Sequence, residues 1–371
     1  MNKIKLGEIL KVKHGFAFKS QNYVNKSEFV LVTLANISST NNFQFNEKKL
    51  TYYNGEFSNE YILNEDDLII PLTEQVIGLF GNTAFIPKVK GISFLLNQRV
   101  GKIIPIKNRA NNYYLHYLLA TDLVRKQLEH RASGTKQRNI SPNDVYDVTV
   151  FICDVKEQKK IGELLYNMER KINLNNKIND NLEKQMKLLY EIFMFKAENK
   201  KINGSFVTAR DLVEVLTGKE DANFSIQNGK FNFFTCSNEI LKCNEYKYDS
   251  SSILIAGNGD FNVKHYTGKF NAYQRTYILT PQKDYYALLY LASLYRIESF
   301  KSKSTGSIVK FITKEDIENI PLFIPENKSI INILNKMIIL KENNFSENEI
   351  LIKLRDFLLP LLMNGQATIS E

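Results

Sequence analysis

KEQKKIGELLYNMERKINLNNKINDNLEKQMKLLYEIFMFK, residues Lys156 to Lys196, contains one glycine and no proline, and its apolar side chains recur at helical spacing. With Ile161 as position a of a heptad, Met168, Asn175, Leu182 and Leu189 follow at a, while Leu164, Lys171, Ile178, Gln185 and Ile192 fall at d. About forty residues rising ~1.5 Å each make a rod of roughly 60 Å, far longer than an ordinary globular helix and long enough to hold two bodies apart. Asn175, polar in mid-seam, selects register and partner at some cost in stability.

A partner is available at the other end of the chain. Residues Lys328 to Met363 carry a second long apolar pattern through Ile330, Ile333, Met337, Leu340, Ile350, Leu354, Phe357 and Leu361. Each helix could equally pack on its own neighbouring domain; an internal repeat favours their pairing. Tyr113, Tyr114 and Ala120 recur as Tyr285, Tyr286 and Ala292, an offset of 172. The same offset carries Gly134, Ile140, Asp144, Phe151 and Ile152 onto Gly306, Ile312, Asp316, Phe323 and Ile324 without a gap, and EILKVKHG (Glu8 to Gly15) matches DLVEVLTG (Asp211 to Gly218). The chain therefore reads as two copies of one unit, each a globular domain followed by a long helix. The expected fold is α+β: two pseudo-repeated globular domains, 1–155 and 200–326, separated by two spacer helices, 156–199 and 327–371, packed as an antiparallel coiled coil.

Within the first copy, strands are expected at Glu28 to Ile37, Asp67 to Leu72, Thr83 to Pro87 and Val100 to Ile106, and a helix from Asn112 to about Glu129. Within the second, strands are expected at Phe231 to Thr235, Ile253 to Ala256 and Thr276 to Leu279. A glycine-rich loop from Gly257 to Lys269 lies between the last two, and a helix from Tyr285 to about Ser299 and a basic loop from Lys301 to Ser307 follow.

Composition narrows the partners. The 371 residues carry a net charge of +9, and the excess lies mainly in the two globular copies. Such a balance points to a polyanion, nucleic acid before an anionic membrane, although an AT-rich coding bias toward Lys, Asn and Ile gives the same sign. Cys153, Cys236 and Cys243, with no CxxC and four histidines, build neither a zinc site nor a disulfide framework. No leader-like apolar segment and no run of 18 apolar residues occurs, so a soluble cytoplasmic protein is expected.

Catalytic signatures are weak. GNGD at Gly257 to Asp260 completes neither a dinucleotide fingerprint nor a phosphate-binding loop; no Asn-Pro-Pro-aromatic tetrapeptide of amino-methylating enzymes is present; and Asp260 with Lys264 is a loose match to a nuclease centre. The basic loops are better candidates. In RASGTKQR, Arg131, Ser133, Gly134, Thr135, Lys136, Gln137 and Arg138 combine cations, hydroxyls and a glycine with no acid among them; backbone amides and cations reach phosphates, and Arg and Gln reach base edges. The corresponding loop offers Lys301, Lys303, Ser304 and Thr305. The pair Gln98-Arg99 is echoed by Gln274-Arg275, and Lys13, Lys19, Lys219, Asn258, Lys264 and His265 complete the candidate DNA contacts. A plain surface turn before a strand has the same composition as these loops, but their recurrence in both copies favours binding; for Arg99 and Arg275 a buried structural role and a base contact are equally open.

LGEILKVKHGFAF, the loop SGTKQRNIS, the run VKEQKKIGELLYNMERKINLNNKINDNLE and the C-terminal LRDFLLPLLMNG together resemble the specificity (S) subunits of type I restriction-modification systems over nearly the whole chain. The second copy departs from the pattern where Ser329-Ile330 replace Glu157-Gln158, and its helix reads about one turn shorter. The resemblance implies two target-recognition domains, each reading one half of a split, asymmetric double-stranded DNA sequence, with the helices setting the gap. It implies a non-catalytic chain without a cofactor of its own. Two methyltransferase subunits using S-adenosylmethionine would dock on it, and an ATP- and Mg-dependent restriction subunit could join them. A self-sufficient DNA methyltransferase or nuclease is the alternative, and a coiled-coil scaffold a third.

Overall fold

The computed structural model describes residues 1–75, 77–303 and 311–369. Seven α-helices lie among them: α1 (Asn112–Leu119), α2 (Asp122–Arg131), α3 (Pro142–Tyr146), α4 (Val155–Glu198), α5 (Tyr286–Lys303), α6 (Lys314–Glu318) and α7 (Ser329–Met363). The chain packs as two units, Met1–Lys171 with Leu351–Glu371, and Ile172–Ile350, so the division falls inside both α4 and α7.

Unit 1 is built on short strands. Leu10–His14, Val100–Pro105, Leu68–Pro71 and Ala84–Phe85 form a four-stranded sheet in that order; Tyr23–Val24, Thr51–Tyr53, Phe29–Val32, Ser93–Leu96 and Ile62–Leu63 form a five-stranded one. Leu10 and Val12 alternate with outward Lys11 and Lys13, as a half-buried strand requires. Leu10 and Val12 share one hydrophobic core with Tyr114, Leu115 and Leu118 of α1, Val124 and Leu128 of α2, Ile161 and Leu165 of α4, and Leu362 and Met363 of α7. Each such burial contributes about 1.5–3 kcal/mol before entropy is counted. Asn2–Lys5 pairs antiparallel with Thr149–Ile152.

Unit 2 repeats the plan with a six-stranded sheet: Val215–Thr217, Thr276–Leu279, Tyr248–Ala256, Val263–Ala272, Phe231–Phe234 and Leu241–Cys243. Residues 253–256 are buried on both faces. Ile253 and Ile255 face α5 and the α4 residues Met186, Tyr190 and Phe193, whereas Leu254 packs with Phe234 and Phe270. Gly204–Thr208 pairs with Pro321–Pro325, the counterpart of the terminal pair in unit 1. The repeat extends to the caps. Ser141 and Asp144 close a capping box on α3, and Thr313 and Asp316 close the same box on α6.

Four expectations are corrected. The helix expected from Asn112 is two helices. Thr121 is extended, its N–H and hydroxyl both donate to Leu118 O at 3.1 and 2.7 Å, and Asp122 opens a fresh N-terminus. The strand from Glu28 ends at Val32, where Thr33 and Asn36 cap a 3₁₀ turn. Most of the glycine-rich loop is strand: Val263–Ala272 zips against Tyr248–Ala256 over eight residue pairs, and long-range pairing overrides local turn signals. The basic loop begins later than expected, because α5 runs to Lys303.

The long helices keep their existence but change their face. Among the positions first assigned to d, Lys171, Ile178, Gln185 and Ile192 are exposed; the buried row is instead Leu165, Ile172, Asn179, Met186 and Phe193, one residue on. On α7 the buried row Ile331, Leu334, Ile338 and Lys341 likewise lies one residue beyond the expected Ile330, Ile333, Met337 and Leu340. Both helices are apolar on more than one side, so period alone did not choose. In unit 2 they run antiparallel: Asn175 donates to Asn348 at 2.9 Å, Asn344 to Asn179 at 2.8 Å, and Lys341 pairs with Glu183. α7 has 35 residues against 44 in α4, about two and a half turns shorter rather than one.

Candidate nucleic-acid interface

Three loops of unit 1 are tied together by backbone hydrogen bonds. Residues 97–100 make the tight turn between Ser93–Leu96 and Val100–Pro105, closed by Val100 N donating to Asn97 O at 2.9 Å, and Gln98 and Arg99 stand exposed at its tip. Gln98 N donates to Phe16 O at 2.9 Å and Gly15 N to Val100 O at 3.2 Å. The loop lies so close that a Cβ on Gly15 would stand 2.1 Å from Asn97 O, which only glycine avoids. On the other flank Leu72 N donates to Arg99 O at 2.9 Å, and Leu72 O accepts from Ile140 N at 3.0 Å. His14–Phe16, the Gln98-Arg99 turn and the RASGTKQR segment thus share one scaffold.

Unit 2 rebuilds that scaffold. Thr276 N donates to Tyr273 O at 2.8 Å, leaving Gln274 and Arg275 exposed, and Gly218 N donates to Thr276 O at 3.0 Å. A Cβ on Gly218 would meet Tyr273 O at 2.2 Å. Gly257 N donates to Arg275 O at 2.9 Å and Gly257 O accepts from Ile312 N at 2.8 Å. Because these bonds are made by main chain, the frame persists while the side chains around it differ. Among the described residues neither Arg99 nor Arg275 pairs with a carboxylate.

In unit 1 the loops enclose a cavity of about 270 Å³ lined by His14, Thr73, Gln98, Arg99, Gln137 and Asn139, with Leu72 and Ile140 at its floor. Thr73, His14 and Asn139 were not among the candidates; the signal for Asn139 lay in the repeat, immediately before the matched Ile140 and Ile312. Gly134 has φ +104° in the turn before Gln137, and Thr135 and Lys136 are exposed. Ser133 and Asn139 exchange backbone hydrogen bonds at 3.0 and 2.9 Å, closing that loop. Arg138 is held by buried Glu74, its Nε donating to Oε1 at 2.7 Å, and lies over the Phe80 ring.

Other candidates fall elsewhere. Arg131 is turned back onto its own helix end, donating to Gln127 O and Asp147 O at 3.3 and 3.2 Å. Lys13 donates to Glu60 at 2.9 Å and covers Tyr61; Lys19 and Lys219 are exposed and Asn258 is half-buried. His265 is a core contact: on the strand Val263–Ala272 it points to α7, with Nδ1 2.9 Å from Glu342 and its ring against Tyr290. Its neighbour Lys264, on the opposite face, donates to Ser237 O and, at 2.6 Å, to Asn262 Oδ1. Burial draws its ammonium down to about 8, against the opposing pull of Cys236 and Asp260. Gln274 donates to Asp221 at 3.1 Å. Lys301 and Lys303 close α5, and Ser304 and Thr305 lie outside the described residues.

Comparison with known proteins places this architecture. The type I restriction modification DNA specificity domain matches twice, over residues 1–184 and 203–353. The EcoDI specificity subunit of Escherichia coli is 36% identical over 165 residues, an alignment spanning 43% of this chain and 37% of that protein. The MjaIX specificity subunit of Methanocaldococcus jannaschii is 24% identical over 322 residues, covering 74% of this chain and 73% of its own length. The crystal structure of a type I restriction-modification S subunit from M. genitalium superposes over 98% of this chain and 96% of its own with TM-score 0.63 at 17% identity, a likeness of fold. With the specificity domain matched across both repeats, the chain belongs to the type I restriction-modification DNA specificity family.

Proposed function

We propose that this chain is the DNA-specificity subunit of a type I restriction-modification complex. Each unit reads one half of a bipartite, asymmetric duplex sequence through its exposed Gln-Arg turn and adjoining loops. The carrying observation is the duplicated backbone frame: the same turn, glycine and isoleucine anchor occur in both units, surrounded by different side chains, as two modules for two half-sites require. α4 contributes Ile161 and Leu165 to one core and Met186, Tyr190 and Phe193 to the other, which supports a helical spacer setting the gap.

Catalysis in this reading belongs to partners: methyltransferase subunits, two by the symmetry of the repeat, using S-adenosylmethionine, with an ATP- and Mg-dependent restriction subunit for cleavage. Leu188, Ile192 and Phe195 on α4 and Ile350 and Phe357 on α7 stay 46–66% exposed on their helices, and uncovered apolar rows of this kind support docking of partner subunits. The test is a map of methylated adenines in cells expressing the chain with its methyltransferase, against cells lacking the chain. A split motif present only with the chain is expected. Tight S-adenosylmethionine uptake by the isolated chain, or a motif independent of it, would overturn the assignment.

A further inference from the structure

The position just before the anchoring isoleucine differs in chemistry between units, while the isoleucine that follows it is anchored in the same way. Ile140 and Ile312 donate to the carbonyls that cap the central strand, Leu72 O and Gly257 O, at 3.0 and 2.8 Å. The preceding residue is Asn139 in unit 1 and Phe311 in unit 2. Both side chains are exposed, and Phe311, at 63%, is among the most exposed large apolar residues of unit 2. It makes no ring contact among the described residues. A fixed frame presenting an amide in one module and a bare phenyl in the other is the pattern of a recognition position rather than a packing one.

The amide of Asn139 is oriented. Its Oδ1 accepts from Thr73 Oγ1 at 2.8 Å and from Gln137 Nε2 at 3.4 Å, whereas its Nδ2 makes only a 3.4 Å contact with Gln137 O. An asparagine that reads adenine needs both its acceptor and its donor free; with the oxygen engaged, Asn139 offers a donor alone. It lines the same cavity as Arg99, and two donors match the guanine major-groove edge, where N7 and O6 both accept. A phenyl ring has no such bond to offer and is matched instead by the thymine methyl group.

Resting on the specificity-subunit reading, we propose that residues 139 and 311 are equivalent base-reading positions: Asn139 donates to N7 of a guanine in one half-site, and Phe311 covers a thymine methyl in the other. The experiment uses the complete complex of the chain with its methyltransferase subunits. Methylation maps of Asn139→Ala and Phe311→Ala are compared with wild type, and binding is measured on motif duplexes carrying 7-deazaguanine for guanine or uracil for thymine, one position at a time. Asn139→Ala relaxes a single G·C position in one half-site, and Phe311→Ala relaxes a single T·A position in the other.

On wild-type complex one 7-deazaguanine substitution weakens binding about tenfold and one uracil substitution about three- to fivefold; each effect vanishes in the matching variant. Where a variant loses both half-sites through misfolding, the base analogues on wild-type complex decide, and insensitivity to them overturns the proposal. Relaxation at an A·T pair by Asn139→Ala, both variants acting on one half-site, or a motif unchanged by either also overturns it while the specificity role stands. Absence of any split motif with wild-type chain sinks both.

Discussion

Asn344 donates to Asn179 across the α4–α7 seam at 2.8 Å, with both side chains buried. With Asn175, Asn348 and the Lys341–Glu183 pair, this makes the middle of the helical contact polar where leucines would pack. A ladder of amides satisfies itself in one register only, so it specifies alignment at the expense of stability. Asn179→Ala should leave Asn344 unsatisfied and cost about 1–3 kcal/mol. The double change of Asn179 and Asn344 to leucine should be neutral or stabilising. Denaturation midpoints of the three proteins check this, and a double variant less stable than the single one would contradict it.

His265 makes stability fall with acid. Burial is the main effect on its ring and holds its pKa below the ordinary histidine value, although the hydrogen bond to Glu342 opposes it. Burial alone would raise Glu342, but bonds from His265, Tyr286 and Thr267 keep it below the usual carboxylate range. The unfolded histidine takes up a proton near pH ~6.5 while the folded one resists, so its contribution is complete above that pH and is lost as pH falls toward the folded value. His265→Asn, which retains a donor but cannot titrate, should flatten the stability profile below about pH 6.5. Equal slopes for variant and wild type would refute the assignment.

Gly15→Ala and Gly218→Ala should each distort one Gln-Arg turn, because the added Cβ would collide with Asn97 O or Tyr273 O at 2.1 or 2.2 Å. Backbone must shift, at about 1–3 kcal/mol. Recognition of one half-site should weaken in each variant while the other is retained, as read from a methylation map.

Arg99→Ala should impair one half-site and Arg275→Ala the other, since each guanidinium stands exposed on its own turn. Competition binding with duplexes altered in one half at a time gives the answer. Equal losses at both halves from either change would contradict modular reading. The affinity that remains should fall steeply with salt, as phosphate contacts require.

Matched insertions of one heptad, after Asn175 in α4 and before Asn348 in α7, should lengthen the gap in the recognised motif while leaving both half-sites unchanged. An unaltered gap would remove the spacer role.

The sequence alone determined the repeat, the two long helices, the basic balance and the Gln-Arg pairs, because each is a local or periodic signal: helical period, a constant offset, a glycine before a turn. Even the capping boxes at Ser141 and Thr313 were carried by residues in fixed order. Tertiary structure decided the rest. Which side of α4 is buried depended on α7 and the domain cores, since apolar residues occur on several of its faces. His265 and Lys264, adjacent in sequence, went to opposite sides of a strand that only its pairing with Tyr248–Ala256 could create. Arg131 left the candidate loop for nearby carbonyls, and Asn139 gained its orientation from Thr73, 66 residues away. Such assignments rest on hydrogen bonds between distant segments, and no pattern along the chain encodes where those segments meet.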